Sequence, residues 1–356
     1  MFLSHTTPDQ ALQVAASVAG ACRLNERWHS EFQPYFLSLI FRELLDVNID
    51  FNTINAIDVD QAQALFPGDV QRGELIELLV LTEMMLNPIP EELEHSLEHW
   101  AQQLNVHDRA LVLARDVAGQ ARAQAQSDFY RLFWMGEEDR EQQGFEEQLK
   151  QHGPQAWTFT VEENPDLAAQ WRSLAQLPEG TLGAAVWNHY QSHGFKTPGE
   201  LGGANAALAH HDWLHVLGNY DVTVIGEVEN AAFGAASSNK PGATLWFLGV
   251  MAMYEGGLFD SVVTGSHPHQ ISAPGMAERV AHALRRGRQC QQDLLAIDYF
   301  AVADQPLIKL QQSWGKAGAS KAEEADLILG FQRLSPRQQG QTTGEREHSA
   351  CARNPN

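Results

Sequence analysis

His210-His211-Asp212-Trp213-Leu214-His215 gathers three imidazoles and a carboxylate in six residues, and Glu227 follows after a gap of eleven. Leu208, Ala209, Leu214, Val216 and Leu217 surround the cluster, with no proline or glycine before Gly218, which predicts a helix. Residues three and four apart share a helix face. His211 and His215 therefore lie one turn apart, with Asp212 three residues from His215. Gly218-Asn219 predicts the helix stop, because both residues tolerate the left-handed turn. The chain then reverses and returns Glu227 on the next element. Two imidazoles, an adjoining carboxylate and a second carboxylate from elsewhere make a divalent-metal site of His211, Asp212, His215 and Glu227. Imidazole suits zinc, iron and nickel, and carboxylate oxygen admits manganese and magnesium. Zinc is the first expectation, with iron, manganese or magnesium as alternatives. The pattern is related to the zincin His-Glu-x-x-His, whose Glu is a general base. Asp212 holds that place one methylene shorter. It is open to three roles: ligand, catalytic base, or a group that orients a ligand. The competing reading is a pair of ordinary helix histidines beside a solvated acid.

His-Asp-x-x-His followed by eleven residues and Glu resembles the metal-binding motif of the coenzyme Q (ubiquinone) biosynthesis Coq-four family. Leu177-Pro178-Glu179-Gly180-Thr181-Leu182-Gly183 is similar to that family's Pro-Glu-Gly-Ser/Thr-Leu-Gly segment, and Leu214-His215-Val216-Leu217 and Ile225-Gly226-Glu227-Val228 are similar too. The resemblance covers about residues 175 to 315. Beyond Glu227 the chain departs from the family: Glu229, Asn230, Ala231, Ala232 and Phe233 stand where a lysine and a Trp-Phe-Glu run are usual. A family Trp is likewise missing around Asp298-Tyr299-Phe300. The resemblance implies a mostly helical domain with a divalent ion on His211, Asp212, His215 and Glu227. Its implied ligand is a prenylated aromatic acid, a quinone precursor. The implied chemistry is oxidative decarboxylation of the head group, beside a role in organising other quinone-biosynthesis proteins. Two other classes compete: a non-catalytic lipid-binding scaffold with a structural metal, and a metal-dependent hydrolase. The hydrolase is disfavoured because a zincin needs Glu where Asp212 stands, and nothing upstream completes an HD-type phosphohydrolase around His211-Asp212.

The elements that must position these residues read as all-α. Apolar spacing predicts helices over 9–22, 31–46, 74–86, from Glu91 to about Leu104, and over 108–133. Together they suggest an N-terminal helical bundle over 1–150, weakly similar to tellurite-resistance TerB-like domains. A polar joint spans 136–166, and a metal- and lipid-binding domain is expected over 160–315. Asn164-Pro165-Asp166 is a helix start, and Thr181 can cap a helix running to His193. Gly242 to Met253 is apolar nearly all round, as a buried core helix or the wall of a groove for a prenyl chain. Glu278 to about Tyr299 reads as helix and carries the basic cluster Arg285-Arg286-Gly287-Arg288, either an anion holder or a solvated helix end. Two further histidine pairs, His95/His99 and His189/His193, have helical spacing; both read first as surface or core-edge groups. His267 and His269 flank Pro268 in a loop. Residues 316–356 are polar and read as a disordered tail.

Composition bounds the partners. The 356 residues carry a formal net charge of −21. That excludes nucleic acid, whose binding needs a cationic surface, and disfavours electrostatic docking on anionic lipid. Membrane contact would be peripheral, hydrophobic and local. Three separated cysteines, Cys22, Cys290 and Cys351, suggest a reducing compartment. No secretory or transit signal is evident. The expected location is cytoplasmic, with peripheral contact on the inner membrane.

Overall fold

The computed structural model describes residues 1–107, 145–258, 260, 265 and 267–314. They are all-α: only three isolated β-bridges occur among them. All of these described residues fall in one compact unit.

In the first part, α1 (Ala11–Cys22) buries Ala11, Val14, Ala15, Val18 and Cys22. Its small residues let another segment come close: a Cβ on Gly20 would lie 1.9 Å from the Ile57 carbonyl oxygen. Helix α2 spans Phe32–Leu45 and stops at Asp46, which takes the left-handed turn at φ 55°. The segment after Asp46 yields a short α3 (Val59–Leu65), started by a capping box between Asp58 and Gln61. The central α4 (Asp69–Met84) begins before the expected Glu74 and is buried on most sides. Helix α5 (Glu91–Leu104) puts Leu93, Leu97, Trp100 and Leu104 inward, with Glu91, Glu92 and Glu94 at its positive start. His95 and His99 lie on its exposed face. The helix expected over 108–133 and the tail from 316 lie outside the described residues, as does most of the joint expected at 136–166.

From Phe145 to His152 the chain is helical (α6), not an open joint. Each of the next four helices starts on a side chain that accepts a backbone N–H. Asn164 caps α7 (Pro165–Ser173), and Thr181 caps α8 (Leu182–His193). Asn205 caps α9 (Ala206–Gly218), and Thr223 caps α10 (Val224–Ala236). Helix α11 (Pro241–Met251) continues into one wider π turn, Ala252–Gly256. Helix α12 spans Met276–Arg288, eleven residues short of the expected end at Tyr299. There the Asp293 carboxylate accepts the Leu295 N–H, and Gln291 N–H donates to the Trp314 carbonyl. These bonds offer the backbone an alternative to continuing the helix. Helix α13 (Leu307–Ser313) closes the described chain.

Helix α10 packs against both α11 and α12, while α2 packs on α12 and α4 on α11. The helix backbones nearly touch: a Cβ on Gly287 of α12 would sit 2.2 Å from the Phe233 carbonyl oxygen of α10. Leu245, Trp246, Phe247, Leu248 and Met251 of α11 are buried in a core shared with α1, α2 and α4. Among the described residues no helix is long and apolar enough to cross a membrane.

Candidate metal centre

Helices α9 and α10 build the centre. The cap at Asn205 and the left-handed stop at Asn219 frame a thirteen-residue α9. His211 and His215 fall one turn apart on it, ring centroids 5.1 Å apart. After a short turn the Thr223 cap opens α10, which puts Glu227 in its first turn. There the helix dipole favours a carboxylate. Glu227 Oε2 lies 3.4 Å from His211 Nε2, and its Oε1 lies 3.4 Å from His215 Nε2. One donor atom from each of the three residues lies within 4.8 Å of the others.

The opposite edge of each ring is fixed by backbone. His211 Nδ1–H donates to the Leu208 carbonyl, and His215 Nδ1–H donates to the Tyr220 carbonyl at 3.3 Å. A carbonyl oxygen only accepts, so each Nδ1 must carry the hydrogen. In the neutral ring, Nε2 is then the lone pair, and both Nε2 atoms face Glu227. This is how metal-ligating histidines are oriented. The His215 side chain is fully buried, yet its Nε2 makes no hydrogen bond. An enclosed lone pair that faces only a carboxylate oxygen, at 3.4 Å, is costly, and a divalent ion between the two would satisfy both. The residues therefore fit a metal.

Burial disfavours the His211 imidazolium, but the Asp212 and Glu227 carboxylates outweigh it and raise its pKa to about 9. Burial alone would raise the Glu227 carboxyl, yet the His215 and His211 imidazoles hold it well below the usual carboxylate range. In the metal-free protein a proton on His211 thus stands in for the cation.

The structure places Asp212 differently from the other three. Its Oδ1 lies 3.4 Å from His211 Nδ1, on the ring edge away from Glu227, and its Oδ2 accepts the Tyr190 hydroxyl. His210 turns away: its Nε2–H donates to the Ile297 carbonyl at 3.2 Å and its ring packs on Tyr299. Asn230, one turn beyond Glu227, donates to the His211 carbonyl at 3.1 Å. His189 comes to the centre, its ring stacked on His215, whereas His193 stays exposed. His269 is exposed, its Nδ1 3.6 Å from Glu255 Oε1.

The basic cluster is consumed inside the fold. Arg285 pairs with Asp46 at 2.9 Å, and Arg288 donates to the Phe2 and Leu3 carbonyls. Buried Arg286 donates to the Gly218 carbonyl at 2.8 Å and the Tyr220 hydroxyl at 2.7 Å. It thereby clamps the turn whose carbonyl orients His215. Sequence reasoning missed Tyr190 and Tyr220 and placed Arg286 only in the basic cluster, because the partners of Tyr190 and Arg286 come from other helices.

Fold and site together define an all-α protein with a two-histidine, one-carboxylate donor cluster. No family model matches the chain, and no curated protein matches it. Among solved structures, that of a candidate ubiquinone biosynthesis protein from Nostoc punctiforme is 16% identical. The match covers 60% of this chain and 98% of that one, with a TM-score of 0.33. A likeness of that depth carries no weight for function.

Proposed function

We propose that this chain is a divalent-metal protein of ubiquinone or related prenylquinone biosynthesis that binds a prenylated aromatic acid and decarboxylates its head group oxidatively. The observation that carries the metal assignment is the convergence of His211, His215 and Glu227 with both Nδ1 atoms tied to backbone carbonyls. The motif's resemblance to the Coq-four family supplies the substrate class. Three protein donors leave coordination room for an outside ligand, as catalytic sites do and closed structural sites do not. That favours an enzyme over a scaffold.

His211, His215 and Glu227 would hold the ion. Bound there, it would act as a Lewis acid on the ring carboxylate or phenolate or provide the place for dioxygen. Zinc has no redox chemistry, so the dioxygen role would call for iron or manganese, whereas the Lewis-acid role is open to zinc. The chain's own residues do the positioning. Leu208 and Tyr220 present carbonyls that fix the two rings, and Asp212, held by Tyr190, braces the outer edge of His211. Of the three roles open to Asp212, this placement favours the orienting one.

Elemental analysis of protein from a quinone-producing host tests the reading, together with oxygen-dependent release of labelled carbon dioxide from a prenylated hydroxybenzoate. One ion per chain, lost in a folded His215→Ala variant, is expected. A folded His215→Ala protein that keeps its ion would place the metal elsewhere. A loaded protein that releases no label would leave a metal protein without this chemistry.

A further inference from the structure

The triad leaves one nearby imidazole without a task. His189 lies in α8, next to Tyr190, whose hydroxyl reaches Asp212. Its ring lies nearly parallel to that of His215, with centroids 5.8 Å apart and planes 19° apart. Phe195 and Tyr190 pack against it edge-on, at 6.0 and 6.3 Å. His189 Nε2 is enclosed and makes no hydrogen bond. Enclosed polar atoms in native folds have partners, and an exception calls for an explanation such as a bound ligand. His189 is not one of the three clustered donors, so it is not a fourth ligand in this arrangement. The ring is thus an enclosed polar group beside the centre.

We propose that His189 forms the polar wall of a carboxylate subsite at the metal centre, its Nε2–H donating to an oxygen of the ligand's carboxylate. The proposal rests on the triad holding a divalent ion. Charge points to an anion: a dication on one Glu227 carboxylate keeps a positive charge, and Asp212 is already engaged by Tyr190 and His211. Geometry points to the same place, because His189 stacks on a donor ring and brings a free nitrogen to that ring's surroundings. The substrate's acid group would then be read twice, by the ion and by one directional hydrogen bond.

The test uses the full chain loaded with cobalt(II), with benzoate as the probe, read through the cobalt visible bands. Wild type is expected to bind one cobalt and to shift those bands with benzoate. His189→Phe should keep cobalt affinity and weaken benzoate about tenfold, the factor one hydrogen bond supplies. His189→Gln, which restores a donor, should recover part of that loss. If the Phe variant does not fold by circular dichroism, His189→Leu carries the same comparison. Unchanged benzoate affinity in the folded variants overturns the proposal, as does a cobalt-loaded wild type that ignores benzoate. A folded His189→Phe that loses cobalt also overturns it, since His189 would then be a ligand. Wild type that takes up no cobalt fells the metal reading itself, so the two failures are distinct.

Discussion

Replacing Arg286 by Met should weaken metal binding through a turn that never touches the metal. The guanidinium donates to the Gly218 carbonyl at 2.8 Å and the Tyr220 hydroxyl at 2.7 Å, and stacks over the Tyr220 and Phe233 rings at 4.9 and 5.3 Å. Two hydrogen bonds from a charged donor are worth about 3–5 kcal/mol together. A chain of this size should then melt roughly 4–7 °C lower. The Tyr220 carbonyl is also the acceptor for His215 Nδ1. Loss of such an orienting contact typically costs 10- to 100-fold in metal affinity, or about 1.4–2.7 kcal/mol. Arg288→Met is the matched control. It lies on the same helix and also donates two hydrogen bonds, but to the Phe2 and Leu3 carbonyls. It should lower the melting temperature and leave metal affinity unchanged. Competitive titration against a chromophoric chelator, beside thermal denaturation, reads both quantities. An Arg286→Met protein that binds metal like wild type would show that the turn holds its shape unaided. Equal losses in both variants would show a general loosening, not an orienting role.

Metal uptake should release about one proton per ion at pH 7.5, because His211 in the metal-free fold titrates at about 9 and must give up its Nε2 proton. Calorimetric titration in buffers of different ionisation enthalpy reads this, and affinity should rise with pH until about 9 and then level. The sign for the metal-free fold is opposite: the raised His211 pKa stabilises it fully below about 6.5, and that contribution fades as pH climbs through about 9. Tyr190→Phe strips buried Asp212 of its hydroxyl donor and should cost about 1–3 kcal/mol, read by denaturant unfolding with metal removed. Gly234→Ala would drive a Cβ to 2.4 Å from the Trp246 ring and 2.8 Å from Leu214. Overpacking of that kind costs about 1–3 kcal/mol, and the same unfolding assay reads it.

What the sequence shows of this site is what helix geometry alone decides. His211 and His215 share a face because they are four apart, and Glu227 returns because Gly218-Asn219 stops α9 and Thr223 starts α10. Spacing also puts Asp212 on nearly the same face, and there it stops short. Whether a side chain three residues from His215 faces Glu227 or the outer ring edge depends on Tyr190, which reaches in from another helix. Local pattern shows Arg286 as one of a basic cluster but not its task, for the same reason: its partners are 66 and 68 residues away. Helix ends follow this logic. Residues 59–65 were silent because a seven-residue polar helix owes its start to the Asp58–Gln61 capping box, not to an apolar stripe. Helix α12 reads too long because the bonds that stop it, such as Gln291 to Trp314, come from distant chain.

The basic cluster on α12 bears on how far metal binding reaches. In a chain of net charge −21, three arginines of one helix end are spent on three separate places. Arg285 reaches Asp46 at the end of α2, Arg286 the end of the metal helix, and Arg288 the N-terminal Phe2 and Leu3. One helix turn thus joins the metal centre to the first part of the chain, where α2 also packs on α12. A ligand that binds only the folded form stabilises whatever unfolds with its site. At free metal one hundred times Kd that amounts to about 2.7 kcal/mol. If the helices of both parts unfold together, scanning calorimetry will show one transition, moved up by roughly 3–4 °C on loading. Two independently folding parts would instead give two transitions, with only one responding to metal. That result would mean the arginine contacts fasten the parts together without coupling their stability.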